Sequence, residues 1–195
     1  MIEYEIEQAA AGDAAITLDE AKAACRVLHD DEDTYLQLLI DAASSMVDGP
    51  FGYLGQAVVT QSWLIKFPGS AVRGRGILPL PFGPVKSISS IKTFDGATLS
   101  ADLKADFELQ GGRFTPAVAP KDGVQWPDLA DRWNALQIEF IAGDAQAAVP
   151  ARIKQAMLMI VAHWFANREA TVIGSISKEI ELGVLGLLQN DRRTW

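Results

Sequence analysis

The sequence is poor in the residues that most often carry chemistry or cross-link small domains. Its 195 residues include one cysteine and two histidines, so it can form no internal disulfide framework and no His-rich metal site. It contains no phosphate-binding glycine loop, no nucleophile elbow and no paired metal ligands at helical spacing. Its longest apolar stretch, residues 156–166, is interrupted by His163 and is too short to cross a bilayer. These absences predict a non-enzymatic protein that needs no cofactor and no metal.

Acidic residues are concentrated at one end of the chain. The formal net charge is -8, yet residues 1–50 carry twelve acids and two bases, while the remainder carries thirteen acids and fifteen bases. Because nucleic-acid binding needs clustered basic residues, this balance argues against a free-standing nucleic-acid binder. Hydrophobic residues make up 49% of the chain, which is typical of a folded soluble protein. We interpret the charge asymmetry as a property of one face or arm.

Local signals predict three helices. Thr17 and Glu20 have capping-box spacing and predict a helix over residues 18–28, whose apolar face is Ala21, Ala24, Cys25 and Leu28. A second helix, residues 32–48, follows an acidic cluster that complements the helix dipole, and Gly49 and Pro50 end it. Pro150 predicts the start of a third helix over 150–167. The apolar stripes of the second and third helices are Leu36, Leu39, Ile40, Ala43 and Val47, and Ile153, Met157, Ile160, Val161 and Trp164.

Between the helices the hydrophobic period changes from helical to alternating. Residues 59–67 alternate apolar and polar side chains, and Asp95-Gly96 and Gly111-Gly112 are hairpin signals. The fold class is therefore α+β: a small helical bundle (a helical hairpin plus a later long helix) with an antiparallel β insertion over 57–142 and an extended C-terminal tail. We expect a flexible acidic arm at residues 1–15, a single domain at 16–167 and a docking tail at 168–195.

The acidic cluster between the first two helices admits two interpretations. Asp30, Asp31, Glu32 and Asp33 could hold a cation, but they lack the alternating ligands and central glycine of a calcium loop. Capping of the second helix is the better interpretation. Cys25 lies on an apolar helix face and is expected to be a buried, inert thiol.

The C-terminal tail is crowded with aliphatic residues and ends in basic residues and a tryptophan. It could fold back on its own core, or it could dock into a groove of a partner, where Trp and Arg are common anchors. We favour docking. The candidate docking residues are Leu182, Val184, Leu185, Leu187, Leu188, Arg192, Arg193 and Trp195.

Several segments, in order, resemble one family. They are ITLDEAK at 16–22, GYLGQAVVTQSW at 52–63, LPLP at 78–81 and HWFANRE at 163–169. Together, over roughly residues 16 to 188, the chain resembles the head–tail connector (adaptor) proteins of long-tailed phages and phage-derived gene transfer agents. The acidic arm and the basic, Trp-ended tail depart from that pattern.

The resemblance implies a structural role. Such an adaptor forms a homo-oligomeric ring, with about twelve copies, between the portal protein and the next neck protein, and it extends the DNA channel. The particle neck is then the expected location, after assembly in the host cytoplasm, and DNA passes without specific binding. The tail residues would engage the portal. Asp30, Asp31, Glu32 and Asp33 would face the lumen or a neighbouring subunit. The alternatives are another neck component, such as a stopper or tail-completion protein, and a small ligand-binding or enzymatic domain.

Overall fold

The computed structural model describes residues 3–95, 98–113, 115–168 and 178–193. The chain divides into two compact units. The helical unit comprises Asp13–Val59 and Asp144–Trp195, and the sheet unit comprises Met1–Gly12 and Thr60–Gly143. The single domain predicted over 16–167 includes most of both units.

The described residues form five α-helices and eight strands, together with two short 3-10 helices at Lys104–Asp106 and Gln146–Ala148. The helices are α1 (Leu18–Cys25), α2 (Asp33–Val47), α3 (Gly69–Val72), α4 (Ala151–Ala166) and α5 (Lys178–Leu188). The strands are β1 (Glu5–Ala10), β2 (Gln61–Phe67), β3 (Leu78–Pro79), β4 (Val85–Asp95), β5 (Thr98–Leu99), β6 (Phe107–Gly112), β7 (Thr115–Pro120) and β8 (Leu136–Ala142). Helices and antiparallel sheets occur together, so the α+β class is confirmed. Within the described residues, no helix combines the length and apolar character needed to cross a membrane.

Helix α1 begins with the expected capping box and ends earlier than expected. The Thr17 hydroxyl accepts a hydrogen bond from the Glu20 amide at 3.1 Å, and the Glu20 carboxylate accepts one from the Thr17 amide at 2.7 Å. Arg26 then adopts a left-handed conformation with φ 57°, and its amide and the next one bond back to the last turn. The chain therefore leaves the helix at Arg26, and Leu28, expected on the buried face, is 97% exposed.

The helical core forms along the stripes that the sequence predicts. All five stripe residues of α2 and all five of α4 are buried. They belong to one apolar cluster that also includes residues of α5. Because 3.6-residue periodicity places these side chains on one face of each helix, α2 and α4 bury their stripes against each other.

The C-terminal segment is not an extended tail in its described part. Residues 178–188 form α5, which packs on α4, and Val184 and Leu188 are buried in the helical core. The prediction of an extended tail was wrong here, because Gly183 and Gly186 interrupt the apolar run and conceal its helical period. A Cβ at Gly183 would lie 3.1 Å from Met159 Cε, so the glycine permits close approach of the two helices.

The sheet unit contains two antiparallel sheets. Their strand orders are β1-β2-β8-β4-β5 and β3-β7-β6. In β2 and β8 every second residue is buried, and for β2 this is the pattern that the alternation over 59–67 predicts. The central register pairs Ile65 with Ile138 and Trp63 with Phe140.

Residues 5–10, expected to belong to a flexible arm, form the edge strand β1. They pair antiparallel with β2, with Glu5 opposite Lys66 and Glu7 opposite Leu64. The Lys66 ammonium lies 3.0 Å from the Glu7 carboxylate and 3.7 Å from that of Glu5. These contacts raise the pKa of Lys66, with the hydrogen bond to Glu7 as the largest cause. Glu5 and Glu7 therefore lie on a paired strand, where Lys66 compensates their charge, and not on a free arm.

Candidate functional site

Residues 26–32 form the turn between α1 and α2, which we call the acidic turn. Ion pairs with Lys22 of α1 fix this turn. The Lys22 ammonium lies 2.6 Å from Asp30 and 2.7 Å from Asp33 at the start of α2. The hydrogen bond from Lys22 lowers the pKa of Asp30, and the bond to Asp30 raises the pKa of Lys22. Two chain segments are therefore joined at the base of the turn by a cation that lies between two carboxylates.

The four acidic residues 30–33 are consecutive in the chain, but their side chains have different partners. Glu32 pairs with Arg168 at 3.1 Å. The side chain of Asp31 is 94% exposed and lies 3.6 Å from His29 Nδ1. Among the described residues, no group of three or more His, Cys, Asp or Glu side chains is arranged to hold a metal ion. The acids at the start of α2 lie in ion pairs, and Glu32, the N-cap residue, makes no side-chain capping hydrogen bond.

The predicted docking residues are distributed over buried and exposed positions. Leu182 is 72% exposed, and Arg192 is exposed. Val184 and Leu188 are buried, whereas three further residues are half-buried: Leu185, Leu187 and Arg193. Trp195 lies outside the described residues. Only part of the predicted set is therefore presented to a partner by this conformation.

The chain after α5 is fastened to the helical unit by polar contacts. Asp191 receives two hydrogen bonds from the Arg152 guanidinium of α4, one of them at 2.6 Å. The Gln56 side chain donates to the Asp191 carbonyl at 2.7 Å, and the Arg193 amide donates to the Leu54 carbonyl at 2.8 Å. The segment thus lies along the loop that follows α2, an arrangement that sequence spacing does not reveal.

That loop, residues 48–56, is called here the glycine loop. Its backbone closes on itself: the Gly49 amide bonds to the Gln56 carbonyl at 2.9 Å, and the Tyr53 amide to the Met46 carbonyl at 2.8 Å. A Cβ at Gly52 would lie 2.3 Å from the Asp48 carbonyl oxygen, so only glycine allows this close approach. At the tip, Phe51 is 81% exposed. The three glycines signal a tight loop in the sequence, but the exposure of Phe51 depends on the fold.

The sheet unit contains an open cavity of about 550 Å³ whose ionisable groups have structural roles. The Asp102 carboxylate accepts hydrogen bonds from the Ile91 and Lys104 amides at 2.8 and 3.0 Å. The bond from Ile91 is the main reason that the pKa of Asp102 is lowered. Lys121 donates to the Ala105 carbonyl at 2.7 Å. These groups fasten the edge of β4 to the following loop.

Cys25 and His163 of the helical unit have local structural contacts. Burial raises the pKa of the Cys25 thiol, which packs against the helical core. His163 Nδ1 lies 3.2 Å from the Asn167 side-chain nitrogen one turn later on α4. A thiol with a raised pKa is a poor nucleophile, and the histidine contact is local to one helix.

Comparison with protein families places the helical hairpin in a known context. Residues 15–74 match the model described as Phage gp6-like head-tail connector protein. The match begins just before α1 and includes α2 and β2, and it confirms the resemblance seen in the sequence. The chain matches no curated protein sequence.

Solved structures extend the likeness to nearly the whole fold. A chain from the neck of an empty gene transfer agent particle, computed with C6 symmetry, has a TM-score of 0.71 at 18% identity, covering 98% of this chain and 96% of that chain. A chain from a native gene transfer agent virion gives 0.68 at 18% identity, with 97% and 96% covered. A chain from the neck of a native particle, computed with C12 symmetry, gives 0.65 at 18% identity, with 98% and 96% covered. At this identity the likeness establishes a shared fold.

Proposed function

We propose that the protein is a structural head–tail connector in the neck of a tailed phage or a phage-derived gene transfer agent. The observation that carries the proposal is the extent of the structural match, 98% of this chain on 96% of a neck chain. Both the helical and the sheet unit take part in a match of that extent. The family match over 15–74 supports the same role independently.

The proposed assembly is a ring of this chain between the portal protein and the next neck protein. Necks of the related particles were computed with C6 and C12 symmetry, and we propose about twelve copies around the DNA channel. In a closed ring each side chain is repeated by symmetry, so exposed acids would give a negative wall that DNA passes without sticking. Asp30 and Asp31 have almost fully exposed side chains on the acidic turn and are the strongest candidates to face the lumen or a neighbouring subunit.

The portal contact is proposed to centre on Leu182. Among the α5 residues from 181 onward, it is the most exposed large apolar residue, whereas Val184 and Leu188 already fill the helical core. Removing residues 182–195 would therefore damage the core as well as any contact. A sharper test is Leu182→Asp, which leaves the buried residues in place, with Glu181→Gln as a matched exposed control. Portal capture by the tagged chain should fall for Leu182→Asp and stay unchanged for Glu181→Gln.

Electron microscopy of particles with a tagged copy of this chain tests the proposed role. We expect additional density in a ring directly below the portal, and heads without attached tails when the gene is deleted. Density one layer lower would favour a stopper or tail-completion protein instead. Complete, infectious or gene-transferring particles that lack the chain would refute the role.

A further inference from the structure

Two exposed apolar side chains mark opposite ends of helix α2. Leu28 lies five residues before the helix and is 97% exposed, and Phe51 lies four residues after it and is 81% exposed. A helix of 15 residues is about 22 Å long at 1.5 Å per residue. The two tips are therefore distinct surfaces of the helical unit, separated by the length of α2.

Both tips are built on backbone that is held in place. The acidic turn carrying Leu28 is closed by the Val27 amide, which bonds to the Lys22 carbonyl at 2.9 Å, and by the lysine contacts described above. The glycine loop carrying Phe51 is closed by its own amides. An exposed leucine or phenylalanine on a preorganised loop loses little conformational freedom when it is covered, which is the property of an interface anchor.

The charges beside the two tips are opposite. On the acidic turn, which carries Leu28, the Asp31 side chain is 94% exposed and lies 3.6 Å from His29 Nδ1. Within the described residues Asp31 forms no ion pair with a lysine or arginine, and Arg26 on the same turn is exposed. On the glycine loop, the exposed Arg192 guanidinium lies 4.9 Å from the centre of the ring of Tyr53, which follows Phe51 by two residues.

The acids near Phe51 are used internally. Asp48 accepts hydrogen bonds from the Gly49 and Val58 amides, both at 2.6 Å. Asp191 is bound by Arg152. The glycine loop that carries Phe51 therefore presents the Arg192 cation, packed on Tyr53, to an incoming partner.

We propose that the Leu28 tip of one copy packs on the Phe51 tip of the next copy, with Asp31 facing Arg192 across the boundary. The occupant of each surface is a second copy of this chain, because each tip supplies the apolar and charged group that complements the other. A contact between two different surfaces of the same chain propagates head to tail and closes into a ring when the rotation permits. The inference rests on the proposed ring and specifies its subunit boundary.

Cysteine cross-linking inside assembled particles tests the contact. In a Cys25→Ala background, Leu28→Cys and Phe51→Cys are combined in one chain, and isolated particles are treated with a short bismaleimide. A head-to-tail contact links every subunit to two neighbours, so denaturing gels should show a ladder from dimers to large oligomers. Either single variant should give no ladder. In particles assembled from a mixture of the two single-cysteine chains, cross-linking should give no product larger than a dimer, because each subunit then has only one thiol.

Charge reversal supplies a second readout on the same double-cysteine chain. Asp31→Arg or Arg192→Asp should reduce the ladder by about tenfold, and the two reversals together should restore it. Particles that contain the chain in a neck ring but give no ladder would overturn the proposed boundary and leave the connector role intact. Particles that lack the chain would overturn both.

Discussion

Leu188 provides the sharpest test of how the C-terminal segment is used by the isolated chain. The side chain is 1% exposed and belongs to the core cluster shared with α2 and α4. Leu188→Ala removes three buried carbons at about 0.8 kcal/mol each and leaves a cavity, so we expect a loss of about 3 kcal/mol within the usual range of 2–5 kcal/mol. In a protein of this size that loss corresponds to a fall in Tm of roughly 6–12 °C.

Urea unfolding followed by far-UV circular dichroism measures this loss. Leu182→Ala is the matched control, since the same substitution at a position 72% exposed should change stability by less than about 0.5 kcal/mol. If the C-terminal segment were a free docking tail, neither Leu188→Ala nor Leu182→Ala would change the free energy of unfolding. If Leu188→Ala unfolds within about 0.5 kcal/mol of the original chain, then α5 does not contribute to the core and the reasoning fails.

Three further substitutions test local features of the helical unit. Thr17→Ala removes the cap of α1 and should cost about 1 kcal/mol in urea unfolding, whereas Thr17→Ser should retain most of it. Gly52→Ala places a Cβ 2.3 Å from the Asp48 carbonyl oxygen and should cost about 1–3 kcal/mol, whereas Gly76→Ala, with no atom within 4 Å, should be neutral. The Thr17 amide lowers the pKa of Glu20 below 4.5, so the folded state favours the carboxylate. This stabilisation is present at pH values above the pKa of Glu20 in the unfolded chain, and it is lost as the pH falls through the lower pKa of the folded chain. The urea midpoint of the original chain should therefore decrease below about pH 4.5, and it should decrease less in Glu20→Gln.

The helical hairpin could be predicted because its signals are local. A capping box needs only Thr17 and Glu20, and the stripe of α2 repeats within 15 residues. The end of α1 was harder to predict. Arg26 takes a left-handed conformation that usually favours glycine or asparagine, so no residue type in the sequence signals the end of the helix. Leu28 therefore lies beyond the helix and is exposed instead of buried.

The two chain ends were misjudged because their partners lie far away in sequence. β1 alternates Glu5, Ile6 and Glu7, which is a strand pattern, but its high acid content suggested a free arm. Its charge is compensated by Lys66, about sixty residues later. The segment after α5 is likewise fixed by Arg152, 39 residues before Asp191. Local periodicity carries no information about such pairs.

The charge asymmetry of the sequence acquires a different meaning once these pairs are known. Several acids of the first fifty residues are matched by bases from the rest of the chain, which accounts for the excess of bases there. The pairs are Glu7 with Lys66, Glu20 with Lys154 and Glu32 with Arg168. Since paired and internally bonded carboxylates contribute little to a distant surface potential, net charge alone overstates the negative field that a neighbouring molecule meets. Any channel wall or subunit boundary must therefore depend on the acids that remain exposed, and Asp31 is the clearest of these on the acidic turn.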